Sequence, residues 1–221
     1  MNTIAAVVTG FDSALYSIIE EALKAKLPDV DYKLLTFANP NLIAQTLEAG
    51  KVTENVAKEL TASYLAAVNC GADVILSVCS TMGDVAEAAQ PLFEKLGVPI
   101  VRIDERMMRF AVHTYRRIAF VATCDAIMLP NRNLMEKTLR REKTGAEVTY
   151  YTLDRMQGKP GPEASAIAVE ELLPHKGSFD AVVMTQASMA PLTAAMEQAL
   201  GVPVLSSSGF GAAEVAEILA G

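Results

Sequence analysis

Cys79 closes an uncharged run, Val74-Ile75-Leu76-Ser77-Val78, and is followed by Ser80-Thr81-Met82-Gly83-Asp84. Such a run reads as a buried strand, and the polar residues after it read as the turn into a helix. A thiol at that turn meets the positive end of the helix dipole, which lowers its pKa from about 8.5 towards neutrality. The thiolate can then take a proton from carbon or attack an electrophile. The other reading of a lone cysteine is a small buried hydrophobe; the strand-end position favours chemistry.

Three more segments place polar groups at the ends of apolar runs: Gly10-Phe11-Asp12-Ser13, Thr123-Cys124-Asp125 and Thr185-Gln186-Ala187-Ser188. They offer the carboxylate of Asp12, the hydroxyls of Ser13, Thr123 and Thr185, a second thiol at Cys124 and the amide of Gln186. Ser80 and Thr81 add hydroxyls beside Cys79. Cys124 also fits a packing role under a loop, and Cys70, at a helix end before Gly71, reads as structural. Asp104-Glu105-Arg106 reads as a charged helix start, or Asp104 as a carboxylate orienting the surroundings of Cys79. Ser206-Ser207-Ser208-Gly209-Phe210-Gly211 reads as a helix cap or an anion-binding turn, and Gly158-Lys159-Pro160-Gly161-Pro162 as a loop. Neither His113 nor His175 lies at a strand end. With no Cys-x-x-Cys and no short His/Cys spacing, no metal site is expected.

These groups need elements to hold them. Ile4 to Thr9 is an uncharged strand, and Leu15, Ile18, Ile19, Ala22 and Leu23 then recur at helical spacing until Pro28. Tyr32 to Phe37 reads as a strand, and Val56, Leu60, Tyr64 and Val68 as one face of a long helix. Strands buried on both faces and alternating with helices predict a parallel α/β sheet.

The pattern then repeats. Thr3-Ile4-Ala5-Ala6-Val7-Val8-Thr9 returns as Arg117-Ile118-Ala119-Phe120-Val121-Ala122-Thr123. Gly71 to Met82 returns as Ser178 to Met189, and each copy is followed by Leu-Gly-Val-Pro, at Leu96 and at Leu200. Three matched segments in one order predict two pseudo-symmetric parallel-sheet halves, 1–109 and 110–205, with ligand chemistry in the cleft at the strand ends. By the repeat, Cys124 corresponds to Gly10. Gln186 corresponds to Cys79, six residues after Asp180 as Cys79 is six after Asp73.

Gly71-Ala72-Asp73-Val74-Ile75-Leu76, then Cys79-Ser80-Thr81 and Gly97-Val98-Pro99-Ile100-Val101, together resemble the aspartate/glutamate racemase family. That family also holds hydantoin racemases, maleate isomerases and arylmalonate decarboxylases. Phe11-Asp12-Ser13 is similar to the Asp-Ser turn of glutamate racemases, and Gly50-Lys51-Val52-Thr53 also fits. The likeness spans nearly the whole chain. It implies a two-half α/β enzyme without pyridoxal phosphate, other cofactor or metal, whose last helix, 206–221, packs back on the first half.

In the family two cysteines face opposite sides of a carbon next to a carboxylate, one removing a proton and the other supplying one. Carried over, Cys79 and Asp12 are the catalytic candidates. Ser13, Ser80, Thr81, Thr123, Cys124, Thr185 and Gln186 bind and polarise the substrate. Gln186 stands where the resemblance places the second cysteine, and an amide carries no proton at neutral pH. The expected activity is cofactor-independent isomerization or racemization of a small amino acid or dicarboxylate. One-cysteine decarboxylation, cis-trans isomerization and non-catalytic carboxylate binding are the alternatives.

Composition narrows the partners. The 221 residues carry 19 Lys and Arg against 26 Asp and Glu, a net charge of −7. With no dense basic run, nucleic acid is not an expected partner. No apolar run of about 18 residues suggests a membrane span, and no secretory signal opens the chain, so a cytoplasmic location is expected. A homodimer or higher homo-oligomer is compatible with the sequence. A nucleotide-binding module is disfavoured, because no Gly-rich phosphate loop follows the first strand.

Overall fold

The apolar runs become strands because their residues are branched or small and uncharged, which suits a sheet covered on both faces. The computed structural model describes residues 1–10, 13–159 and 161–221. The chain runs β1 (Asn2–Val8), α1 (Ser13–Lys26), β2 (Tyr32–Ala38), α2 (Asn41–Ala49), α3 (Glu54–Asn69), β3 (Val74–Ser77), α4 (Gly83–Lys95), β4 (Ile100–Arg102) and α5 (Glu105–Thr114). It continues with β5 (Arg117–Ala122), α6 (Asp125–Glu142), β6 (Glu147–Thr152), α7 (Gly161–Leu172), β7 (Ala181–Met184), α8 (Thr193–Leu200), β8 (Val204–Leu205) and α9 (Ser207–Ala220). Tertiary contacts divide it into two units, Met1–Ile103 with Ser208–Gly221, and Asp104–Ser207. α5 groups with the second unit, where it packs on α6 and Glu105 accepts from Arg141 at 3.4 Å.

Each unit holds one four-stranded parallel sheet, in the orders β2-β1-β3-β4 and β6-β5-β7-β8. The two halves are therefore similar in strand order, and the repeat in the sequence is a repeat of structure. Their registers match as well. Ile4 lies against Val74 and Val7 against Ser77 in the first sheet; Ile118 lies against Ala181 and Val121 against Met184 in the second.

The register is fixed at its start by an aspartate. Thr3 N–H donates to Asp73 Oδ2 at 2.6 Å while Asp73 N–H donates to Thr3 O at 2.8 Å. In the second unit Arg117 N–H donates to Asp180 Oδ2 at 2.9 Å, and Asp180 N–H returns to Arg117 O at 2.7 Å. The Arg117 guanidinium adds two bonds to Asp180 Oδ1, at 3.2 and 2.7 Å. The matched Leu-Gly-Val-Pro turns also have one cause: Gly97 and Gly201 sit at φ 75° and 69°, a left-handed conformation that favours glycine at a helix end.

Helices then cover the sheets. Thr53 caps α3, its hydroxyl accepting from Val56 N–H at 3.3 Å. Val56, Leu60, Tyr64 and Ala67 of α3 are buried with Ala5, Val7, Ile75 and Phe93; Val68, expected on that face, packs at its margin. In the second unit Ile167, Leu172, Met196 and Leu200 cover Ala119, Val121, Val182 and Met184. Burying a side chain of this size is worth roughly 1.5–3 kcal/mol, so these faces hold the strand ends in place. α9 begins earlier than a capped turn over 206–211 would allow, since Ser207 to Gly211 are already helical. Gly161 and Pro162, expected in a loop, instead open α7, where proline's fixed φ suits a first turn. Among the described residues no helix is long and apolar enough to cross a membrane.

Candidate active site

Cys79 leaves β3 in an extended conformation and enters a single 3-10 turn, Ser80–Met82, that leads into α4. Met82 N–H closes the turn onto Cys79 O at 3.3 Å. Gly83 is glycine for a packing reason: a β-carbon there would fall inside the guanidinium of Arg102. That side chain is 1% exposed and donates to Glu87 at 3.2 Å. The base of α4, and with it the Cys79 turn, is held against β4.

Cys79 is half-buried and packs against the α2–α3 side of the core, with Ser80 and Thr81 buried next to it. Burial pushes its thiol pKa up. The Thr9 hydroxyl, the Met82 and Thr81 N–H groups and the Thr81 hydroxyl pull it back, and the balance remains upward. The expected lowering by the helix start is thus corrected. The N–H groups favour the thiolate, but Cys79 closes no side-chain cap hydrogen bond, and desolvation outweighs them.

The second unit repeats this arrangement with different chemistry. Thr185 N–H donates to Val121 O at 3.0 Å, just as Val78 N–H donates to Val7 O at 3.0 Å. Gln186 follows, half-buried, and Met189 N–H closes its turn onto Gln186 O at 3.0 Å. Thr123 Oγ1 donates to Gln186 Oε1 at 2.9 Å. With Oε1 occupied, the two Nε2 hydrogens remain to donate, and among the described residues no acceptor takes them. Thr185 is fully buried and Thr123 nearly so.

The other sequence candidates fall as follows. Cys124 is half-buried at the N-cap of α6, where its carbonyl accepts from Ile127 and Met128 N–H at 3.2 and 2.9 Å and its side chain makes no cap bond. Asp12 lies outside the described residues, and Ser13 is described only as the first residue of α1. Asp104 is buried at the N-cap of α5, and Cys70 is exposed at the C-cap of α3. His113 is exposed and pairs with Glu142 at 2.9 Å, while His175 lies against Tyr151, ring centroids 5.4 Å apart. Among the described residues no group of three or more His, Cys, Asp or Glu could hold a metal. Two hollows of about 420 and 410 Å³ run along α1 and β2, and Cys79 lines neither.

Thr9 was missed from the sequence. Its signal was present, because the repeat that singles out Thr123 pairs it with Thr9.

The family model for Asp/Glu/Hydantoin racemase matches residues 13–215, and the chain belongs to that family. Its fold is similar to glutamate racemase isoform RacE1 from Bacillus anthracis, 17% identical over 99% of this chain and 82% of that one, with a TM-score of 0.72. It is also similar to the aspartate racemase of Picrophilus torridus, at 12% identity over 99% and 94% of the two chains and a TM-score of 0.72. The allantoin racemase of Klebsiella pneumoniae gives 17% identity over 100% and 88%, with a TM-score of 0.65. No curated protein gives a significant match.

Proposed function

We propose that this protein is a cofactor-independent isomerase acting at the carbon next to a carboxylate of a small amino acid or dicarboxylate. Cys79 serves as its base. The observation that carries this reading is the setting of Cys79: a half-buried thiol at a strand end, ringed by hydroxyl and N–H donors that favour its charged form. In the step itself the thiolate takes the α-proton and the C–H electron pair passes into the carboxylate as an enolate. Hydrogen-bond donors carry the developing charge, among them Ser80, Thr81 and the Gln186 amide. Asp12 joins Cys79 as the second proposed catalytic residue, and Ser13, Thr123, Cys124 and Thr185 complete the proposed substrate-binding set.

The bond between Thr123 and Gln186 favours a one-thiol version of this chemistry, in which Gln186 binds rather than transfers a proton. Exchange, decarboxylation or double-bond isomerization then runs without efficient inversion.

The test is incubation with amino acids, malonates and maleate in deuterium oxide, followed by NMR, for wild type and Cys79→Ser. The wild type should exchange or convert at least one of them, and Cys79→Ser should lose turnover by at least about 10²-fold with unchanged far-UV circular dichroism. A variant retaining more than about a tenth of the activity removes Cys79 from the chemistry. Tight binding of a carboxylate without exchange or conversion points instead to a binding protein.

A further inference from the structure

We propose that Thr9 is the positioning residue for Cys79: its hydroxyl, brought alongside by the β1–β3 register, holds the thiolate in place. The inference rests on the reading of Cys79 as the base. Register is its first support. Val7 pairs with Ser77 and Val78 N–H bonds Val7 O at 3.0 Å, so two residues on Thr9 comes level with Cys79. Side chains of paired residues in neighbouring parallel strands point to the same face. Thr9 is 3% exposed, and its backbone is held by Ile43 N–H donating to its carbonyl at 3.3 Å. The hydroxyl is thus placed by the sheet rather than by a mobile loop.

The second support is the twin pair. In the other unit the same register, carried two residues past Val121 and Met184, brings Thr123 level with Gln186, and there the side chains bond at 2.9 Å. Two units with one register and different partners give the threonine one role in this proposal. It donates to whatever stands at the end of the third strand and fixes its orientation. For Gln186 that means aiming the amide hydrogens. For Cys79 it means a fixed hydroxyl donor to sulfur, which favours the charged thiol.

The groups acting on the Cys79 thiol are neutral: the Thr9 and Thr81 hydroxyls and the Thr81 and Met82 N–H groups. Charged side chains on the elements that flank its turn or pack against it are Glu48 on α2, Glu54, Lys58 and Glu59 on α3, Asp84, Glu87, Glu94 and Lys95 on α4 and Arg102 on β4. Glu87 pairs with Arg102.

The experiment is iodoacetamide alkylation of the full chain as a function of pH, read peptide by peptide by mass spectrometry. Exposed Cys70 is the internal reference. Thr9→Val, which keeps the shape and removes the hydroxyl, should move the Cys79 midpoint up by about one pH unit, roughly tenfold less thiolate at neutral pH. Cys70 should be unaffected, and Thr9→Ser should return Cys79 to within about twofold of wild type. The pair of variants separates the hydroxyl from packing, because valine keeps the shape and loses the donor whereas serine loses the methyl group and keeps the donor. If Thr9→Val does not fold, Thr9→Ala is read in the same way. A Cys79 profile in these variants that superimposes on wild type overturns the proposal. Turnover surviving in Cys79→Ser would instead overturn the functional reading, while the alkylation result would stand.

Discussion

A cysteine pushed up by burial makes a scarcer but stronger base. Cys79 is such a group, and this sets the sign of the pH dependence. The thiolate fraction grows as pH rises through the folded pKa, which lies above the ordinary thiol value. The kcat/KM profile should therefore keep rising beyond about pH 8.5 and lose that limb in Cys79→Ser. A plateau reached below pH 7 would contradict it. Gln186 supports a second expectation. Gln186→Cys places a thiol beside Thr123 at the register of Cys79 and should confer measurable racemization of an amino acid that the wild type only exchanges, read by chiral chromatography. The gain should be small, since the new thiol lacks a tuned setting. Inversion by the wild type that Cys124→Ser leaves untouched would overturn the one-thiol reading; inversion lost in Cys124→Ser would assign the second thiol to Cys124. The strand-end placement of Cys79 was legible in the sequence because an uncharged run closed by polar residues advertises itself. The direction of its pKa was not, because burial against the α2–α3 core is decided by residues distant in sequence.

Strands were legible wherever uncharged, branched residues ran together, and the repeat showed that two sheets share a plan. The sequence did not show what sets their register. In the sequence Asp73 and Asp180 stand out only as landmarks of the repeat, yet each carboxylate accepts an N–H near the start of the neighbouring strand, from Thr3 and from Arg117. An aspartate at the start of the third strand thereby determines which residue, six positions later, meets the terminal threonine of the first. In Asp180 the Arg117 side chain and N–H hold the carboxyl below the ordinary aspartate range. A lowered folded pKa contributes stability above the unfolded pKa of about 3.9, and that contribution is lost as pH falls through the folded value. Urea midpoints measured from pH 6 down to pH 3 should fall less steeply in Asp180→Asn than in wild type. Parallel curves would show that the pair has no role in acid stability. Ser206–Gly211, read as a helix cap or an anion-binding turn, is helical from Ser207 on. Serine and glycine are weak helix formers, but Gly211 is drawn into α9 by its close fit on Ile103.

At the scale of the molecule that fit matters most, because α9 belongs to the unit whose other residues precede Asp104. A β-carbon on Gly211 would lie 3.0 Å from Ile103 Cα. Gly211→Val should therefore overpack the joint at a cost of about 1–3 kcal/mol and lower Tm by on the order of 5 °C. An unchanged Tm in calorimetry would show that the helix shifts freely. The same discontinuity orders events during synthesis. The second unit is continuous in sequence, whereas the first waits for residues 208–221, which leave the ribosome roughly a hundred residues after its sheet. The half that carries Cys79 is thus the last to be completed, although its strands are the first to be made. Until α9 arrives, Ile103 lacks its contact with Gly211, and a chain released at residue 207 should be cut by protease within 1–103 while 104–207 is protected.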